Sequence, residues 1–317
     1  MRLHRFALPS SIVAAVAVAL LLVPCAATAQ LSFTESAGVA GIQVAQTPDP
    51  NVPIAGGAVW EDYDNDGDYD IYLTQGVGCN ELFLNDGAGN FSGVLNAGGA
   101  SDCAGLGHGG TSADFDNDGD ADLFVTNWGQ NRYFVNQLIE TGSFSFIDGT
   151  DAAGILGDGE TNSSSAVAGD YDNDGDLDLF VGTHFSQMMP VILCDPDRVY
   201  RNNGDNTFTE VGEALGIAFS GQTGEDGDNG CALGATWTDY DMDDDMDLMV
   251  INDFGPFIAS NRLYRNDGSD GVGGWTFTDV SEATGFDYAE LGMGVAKGDY
   301  DLDGDFDYYM ADIGKNE

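Results

Sequence analysis

Residues 62–73 read DYDNDGDYDIYL, and this stretch decides the fold because its pattern returns four more times. The segments 62–70 (DYDNDGDYD), 114–122 (DFDNDGDAD), 170–178 (DYDNDGDLD), 239–247 (DYDMDDDMD) and 299–307 (DYDLDGDFD) start 52, 56, 69 and 60 residues apart. Recurrence at this spacing marks an array of similar supersecondary units. Each nine-residue segment runs into a short apolar one: 71–73 (IYL), 123–125 (LFV), 179–181 (LFV), 248–250 (LMV) and 308–310 (YYM). Runs that are apolar at successive positions fit strands covered on both faces.

The remainder of each unit repeats as well. An LYRN-like strand follows at 82–85, 133–136, 199–202 and 263–266, and turn residues such as Asn85-Asp86-Gly87 and Asn203-Gly204-Asp205 come after several of these. An FTDV-like strand is read at Phe33-Thr34, 208–211 and 277–280, with looser versions near Phe91 and Phe144. A small-residue strand such as 292–296 (GMGVA) leads into the next Asp-rich segment. Four short strands per unit describe a β-propeller blade, and no segment reads as a long amphipathic helix. The expected class is all-β, a propeller of four-stranded blades with five units present.

The Asp-rich segments have the chemistry of a calcium loop. Carboxylates at loop positions 1 (Asp62, Asp114, Asp170, Asp239, Asp299), 3 (Asp64, Asp116, Asp172, Asp241, Asp301) and 5 (Asp66, Asp118, Asp174, Asp243, Asp303) converge as the chain curls. Position 6 needs a sharp turn that Gly supplies through φ > 0, and only the fourth loop departs, with Asp244. Position 7 (Asp68, Asp120, Asp176, Asp245, Asp305) offers a backbone carbonyl, and position 9 (Asp70, Asp122, Asp178, Asp247, Asp307) closes the shell. Two carboxylates ~4 Å apart repel by about 4 kcal/mol at an effective dielectric of 20, so the gathering calls for a cation. An oxygen-only set disfavours zinc and copper, and magnesium is too small and stiff for it. Up to five Ca²⁺ ions are expected. An EF-hand would need an acid at position 12, which is Leu73, Val125, Val181, Val250 and Met310 in the five loops.

This combination of loop, strand and LYRN-like strand resembles the FG-GAP and VCBS repeats of integrin α-type propellers. It is most similar to the bacterial cartilage acidic protein-like (ASPIC/UnbV-type) group, whose units read GDYDNDGDLDLYV, NRLYRN and FTDV in order. The resemblance implies Ca²⁺ on the aspartates at positions 1, 3, 5 and 9, and a propeller usually of seven blades. Only five loops are present, and a literal Phe-Gly…Gly-Ala-Pro signature is missing. The chain stops at Glu317, one residue short of where an LYRN-like strand would begin. The expectation is a propeller incomplete at its C-terminus; closure by an N-terminal strand at 31–35 is the alternative.

Charge and cysteines narrow the setting. The 317 residues hold 54 acidic and 9 basic side chains, a formal charge of −45. Residues 1–29 read as a signal peptide, with Arg2 and Arg5, an apolar run over 12–23 and Ala27-Thr28-Ala29 before the cut. Its removal leaves the propeller domain at 30–317 with a charge of −47. That charge repels nucleic acid and anionic membrane surfaces, and membrane insertion after cleavage is not expected. Localisation is read as secreted or extracellular, with periplasm and cell surface as alternatives. Four cysteines then remain, a count that favours disulfides in an exported chain. Three pairings exist; equivalent places in two units favour Cys79–Cys103 and Cys194–Cys231.

No catalytic constellation is expected. His108 lies in a small-residue strand and is read as packing near the propeller axis; His184 opens an insertion, 184–193, read as solvated. Neither belongs to an HExxH or nucleophile pattern, and no phosphate-binding loop occurs. The expected function is a secreted, calcium-binding, non-catalytic module for adhesion to a protein or glycan. Two alternatives stand beside it: the propeller portion of a larger exported protein, and a calcium-dependent polysaccharide lyase or hydrolase.

Overall fold

Residues 37–42, 56–155, 161–187, 193–217 and 231–313 are described by the computed structural model. The chain divides into units 1–36 and 37–317, and every described residue lies in the second. The expected signal peptide, the strand read at 31–35, Phe33-Thr34 and residues 314–317 fall outside the described residues.

Each Asp-rich loop is a connection between two antiparallel strands. The first sheet contains β1 (Ala58–Glu61), β2 (Asp70–Leu73), β3 (Glu81–Asn85) and β4 (Phe91–Gly93), hydrogen-bonded in that order. The second repeats it with β5 (Gly107–Ala113), β6 (Asp122–Asn127), β7 (Arg132–Asn136) and β8 (Phe146–Asp148). In the third unit, β9 (Ser163–Gly169) and β10 (Asp178–Thr183) are followed by a small inserted hairpin, β11 (Phe185–Gln187) and β12 (Leu193–Cys194). β13 (Arg198–Asn202) and β14 (Phe208–Glu210) then complete the sheet. The fourth holds β15 (Cys231–Thr238), β16 (Asp247–Asp253), β17 (Arg262–Ser269) and β18 (Trp275–Asp279). Among the described residues the fifth is a pair, β19 (Gly292–Gly298) and β20 (Asp307–Asp312). Four sheets thus have the expected four strands, the helices are single turns, and the result is an all-β, propeller-like fold.

The period-two alternation of the second strands builds the core. Leu123 and Val125 of β6 join Val59, Tyr72 and Leu82 of the first sheet, whereas Phe124 turns to Leu179 and Val181 of the third. Phe180 of β10 then faces Leu248 and Val250 of the fourth, and Met249 and Ile251 face Tyr308 and Met310 of the fifth. Each interior second strand is therefore buried on both faces, which is why its segment lacks polar alternation. The aromatic at loop position 2 fills the same seams: Tyr63, Phe115 and Tyr171 are almost fully buried. Tyr171 stacks on Trp237 of the next sheet with centroids 6.2 Å apart.

First strands of successive units approach so closely that side chains are excluded. A Cβ on Gly57 would lie 2.7 Å from the carbonyl oxygen of His108, and one on Gly234 would lie 2.8 Å from the Cα of Gly294. This is the physical reason for the small-residue strands. Two disulfides, Cys79–Cys103 and Cys194–Cys231, join adjacent units in the pairing the repeat favoured.

The Gly234 contact is one-sided, because a Cβ on Gly294 would meet nothing within 4 Å. Gly234→Ala should destabilise the protein by about 2 kcal/mol, since backbone must shift to admit the methyl. Gly294→Ala should stay within about 0.5 kcal/mol of wild type. Denaturant unfolding of the two variants measures the difference; equal effects would contradict the close approach.

Candidate metal centres

All five loops fold by the same local bonds. The position-1 carboxylate accepts the backbone N–H of positions 5 and 6: Asp62 from Asp66 (3.0 Å) and Gly67 (2.9 Å), Asp170 from Asp174 (3.1 Å) and Gly175 (3.0 Å). Asp114, Asp239 and Asp299 do the same in their loops. Position 5 accepts the N–H of position 7, as Asp66 does from Asp68 at 3.1 Å. Position 6 has φ of 97°, 102°, 93° and 101° at Gly67, Gly119, Gly175 and Gly304, and Asp244 reaches 73° in the fourth loop.

A second left-handed residue lies at position 4, which the sequence reading did not assign. Asn65, Asn117 and Asn173 have φ between 54° and 59°, and Met242 and Leu302 adopt the same region. Asn tolerates that region better than most residues, and here it also reaches the next unit. Asn117 Nδ2 donates to Asp176 Oδ1 at 2.7 Å, Asn173 Nδ2 to Asp245 Oδ1 at 2.9 Å, and Asn65 Nδ2 to the Gly119 carbonyl at 3.0 Å.

In the first four units the position-9 carboxylate anchors the third strand. Asp178 accepts the N–H of Tyr171 (3.1 Å) and of Asn202 (2.9 Å). Asp70 and Asp247 take the matching pairs, while Asp122 accepts Asn136 N–H and the Tyr133 hydroxyl. The LYRN asparagine then donates through Nδ2 to the preceding unit: Asn136 to the Tyr63 carbonyl, Asn202 to Phe115, Asn266 to Tyr171. These asparagines were legible only as part of a recurring word; their place in the site was not.

The loops gather carboxylates without neutralising them. Asp62, Asp64 and Asp66 present ligand oxygens within 4.8 Å of one another, as do Asp114, Asp116 and Asp118; Asp170, Asp172 and Asp178; and Asp239, Asp241 and Asp247. Oδ1 of Asp64 and of Asp172 and Oδ2 of Asp118 are buried with no hydrogen-bond partner. Unpaired buried oxygens in an all-oxygen set fit a hard cation. Position-7 side chains mostly turn away from the loop centre, so that a Cβ on Gly87 or Gly204 would strike the carboxylate of Asp68 or Asp176. Burial pushes Asp122 and Asp178 up to about 8, and Asp70 and Asp247 to about 6, against the lowering effect of their backbone donors. Between the first two loops lies a cleft of about 420 Å³ lined by Glu61, Asp62, Asn65, Tyr69, Asp114 and Asp120.

The histidines lie elsewhere. His108 is buried in β5 and its Nδ1 bonds the Ser163 carbonyl at 2.9 Å, in keeping with a packing role. His184 corrects the sequence reading: it is not solvated but buried, with Nε2 3.3 Å from Asp253 Oδ2 and its ring stacked on Phe254. Met188 and Met189 of the same insertion are outside the described residues. Arg132, Arg262 and Arg265, beside or within the third strands, pair with Asp102, Asp279 and Asp267.

Fold and loops together define a propeller-like module, and the chain carries FG-GAP-like repeats, matched at residues 62–125 and 114–181. It is distantly similar to cartilage acidic protein 1 of Xenopus tropicalis and of Mus musculus, each 28% identical over 186 residues. Those alignments cover 57% of this chain and 26% of each relative, so the chain spans about a quarter of the curated relatives it matches. Among solved structures, an Agrocybe aegerita lectin described as recognising non-reducing terminal N-acetylglucosamine aligns over 81% of this chain and 61% of its own, with TM-score 0.45 and 18% identity.

The raised carboxyls make stability depend on pH in the cation-free protein. A carboxyl whose folded pKa exceeds its unfolded value of about 3.9 contributes stability that is present below that value and lost as pH rises through the folded one. The window therefore runs from about 4 up to about 8, set by Asp70, Asp247, Asp122 and Asp178. Thoroughly cation-stripped protein should melt higher at pH 5 than at pH 8. Saturating divalent cation should shrink or reverse the difference, because ligation needs deprotonated carboxylates. Scanning calorimetry at both pH values checks this; a stripped protein more stable at pH 8 would contradict it.

Proposed function

We propose that residues 30–317 form an exported, calcium-loaded binding module without catalytic activity, which contacts a protein or glycan through its loop-bearing edge. The observation that carries this reading is the set of buried, unpaired carboxylate oxygens at the loop centres. Carboxylates at positions 1, 3, 5 and 9, with the position-7 carbonyl, give the count and flexible geometry that calcium prefers over magnesium. The two disulfides fit an oxidising compartment, and with the sequence of residues 1–29 they support export.

The cleft beside Tyr69 supports the binding role. Tyr69 is 63% exposed next to a wall of carboxylates and amides, which suits a ligand with an apolar face and several hydroxyls. Bound cations would add acceptor-seeking positive charge along the same edge.

Calcium should govern stability. One site held at 100 times its dissociation constant contributes about 2.7 kcal/mol, which for a chain of this size is roughly 4–5 °C in Tm. Chelation should lower the melting temperature by at least that much, and calcium should restore it more fully than magnesium. An unchanged melting curve would refute the assignment. On a glycan and extracellular-protein array, binding should require calcium and weaken at least tenfold in Tyr69→Ala with its melting unchanged. Retention of full binding by that variant would move the ligand surface elsewhere.

A further inference from the structure

The second unit breaks the repeat at one place. In the first, third and fourth units the third strand ends in Asn85-Asp86-Gly87, Asn202-Asn203-Gly204 and Asn266-Asp267-Gly268, with φ of 71°, 71° and 76° at the glycines. The position-7 carboxylates of Asp68, Asp176 and Asp245 lie against those glycines, and Asp176 and Asp245 are also held by an asparagine of the preceding loop. The second unit has Asn136-Gln137-Leu138 instead, and the chain turns through a one-turn helix, Leu138–Thr141.

That replacement changes what surrounds Asp120. Its Oδ2 accepts the Ile139 N–H at 2.8 Å. The asparagine that would reach its Oδ1, Asn65, bonds the Gly119 carbonyl instead. Asp120 is 2% exposed, and its Oδ1 has no hydrogen-bond partner. Glu140, carried on the new helix, brings a third carboxylate, so that ligand oxygens of Asp118, Asp120 and Glu140 lie within 4.8 Å of one another. Oδ2 of Asp118 is likewise buried and unpaired. Three carboxylates turned together around two unpaired buried oxygens are unfavourable unless a cation or a proton joins them.

We propose that Asp118, Asp120 and Glu140 form an additional calcium site, present in the second unit and separate from the site in its loop. Asp118 belongs to both carboxylate groups and bridges the two ions. The donors are all oxygen, and the exposed side of Glu140 leaves room for water to complete the shell. The proposal rests on the reading of the loops as calcium sites, and its test separates the two.

The full chain, stripped of cations, is titrated with calcium alone by isothermal titration calorimetry and equilibrium dialysis. Glu140→Gln alters only the additional site; Asp172→Asn alters only the third loop and serves as the comparison. Wild type is expected to bind one ion more than Glu140→Gln, or to hold one ion at least tenfold more tightly, and Asp172→Asn should lose a different ion. The double variant should show both losses. Circular dichroism guards against misfolding, to which exposed Glu140 should contribute little. Unchanged stoichiometry and affinities in Glu140→Gln, beside a loss in Asp172→Asn, would overturn the additional site and leave the loop reading intact. A wild-type chain that binds no calcium would overturn both.

Discussion

The buried carboxylate at the ninth position of the first four loops, Asp70, Asp122, Asp178 and Asp247, is the constraint from which the remaining structure follows. Asp178 ties its own loop to β13 through two backbone N–H groups, and the asparagine it positions reaches back to the preceding unit. One side chain thus couples loop closure, strand register and sheet-to-sheet packing. Burial withdraws water from it, and Asp172 and Asp174 add like charge beside it, so the charge is costly until a cation shares it. Cation content and fold stability then become two aspects of one equilibrium.

Packing reinforces that coupling. No interior sheet owns a core; each seam is made half from one unit and half from the next. Such arrays are stabilised largely by nearest-neighbour interfaces, so a disturbance in one loop is felt first by the units beside it. The fifth sheet shows the counterpart. Tyr300 is 92% exposed, whereas Tyr63, Phe115 and Tyr171 at the same loop position are buried under the following sheet.

Much of this was readable in advance for local reasons. The turn at position 6, the strand behind each loop and the Asn-Gly turns depend on φ preferences and two-residue periodicity, which act within a few residues. The disulfide pairing was readable because the repeat placed the cysteines in equivalent positions. The second left-handed residue was harder, since Met242 and Leu302 give no sign of it. His184 was misjudged because its partners, Asp253 and Phe254, come from the next unit.

The sequence by itself determined the unit: five loops, their oxygen chemistry, the strands around them and the exclusion of an EF-hand by an apolar twelfth position. Only the tertiary structure decided how units grip one another. The Asn117–Asp176 and Asn202–Phe115 bonds span 59 and 87 residues, and no local rule specifies which acceptor a side-chain amide will find at that distance. The same holds for Glu140, an ordinary surface acid in the sequence that becomes a third carboxylate beside Asp118 and Asp120 once the second unit folds. Loop chemistry is set by neighbours along the chain; its extension across the sheets is set by neighbours in space.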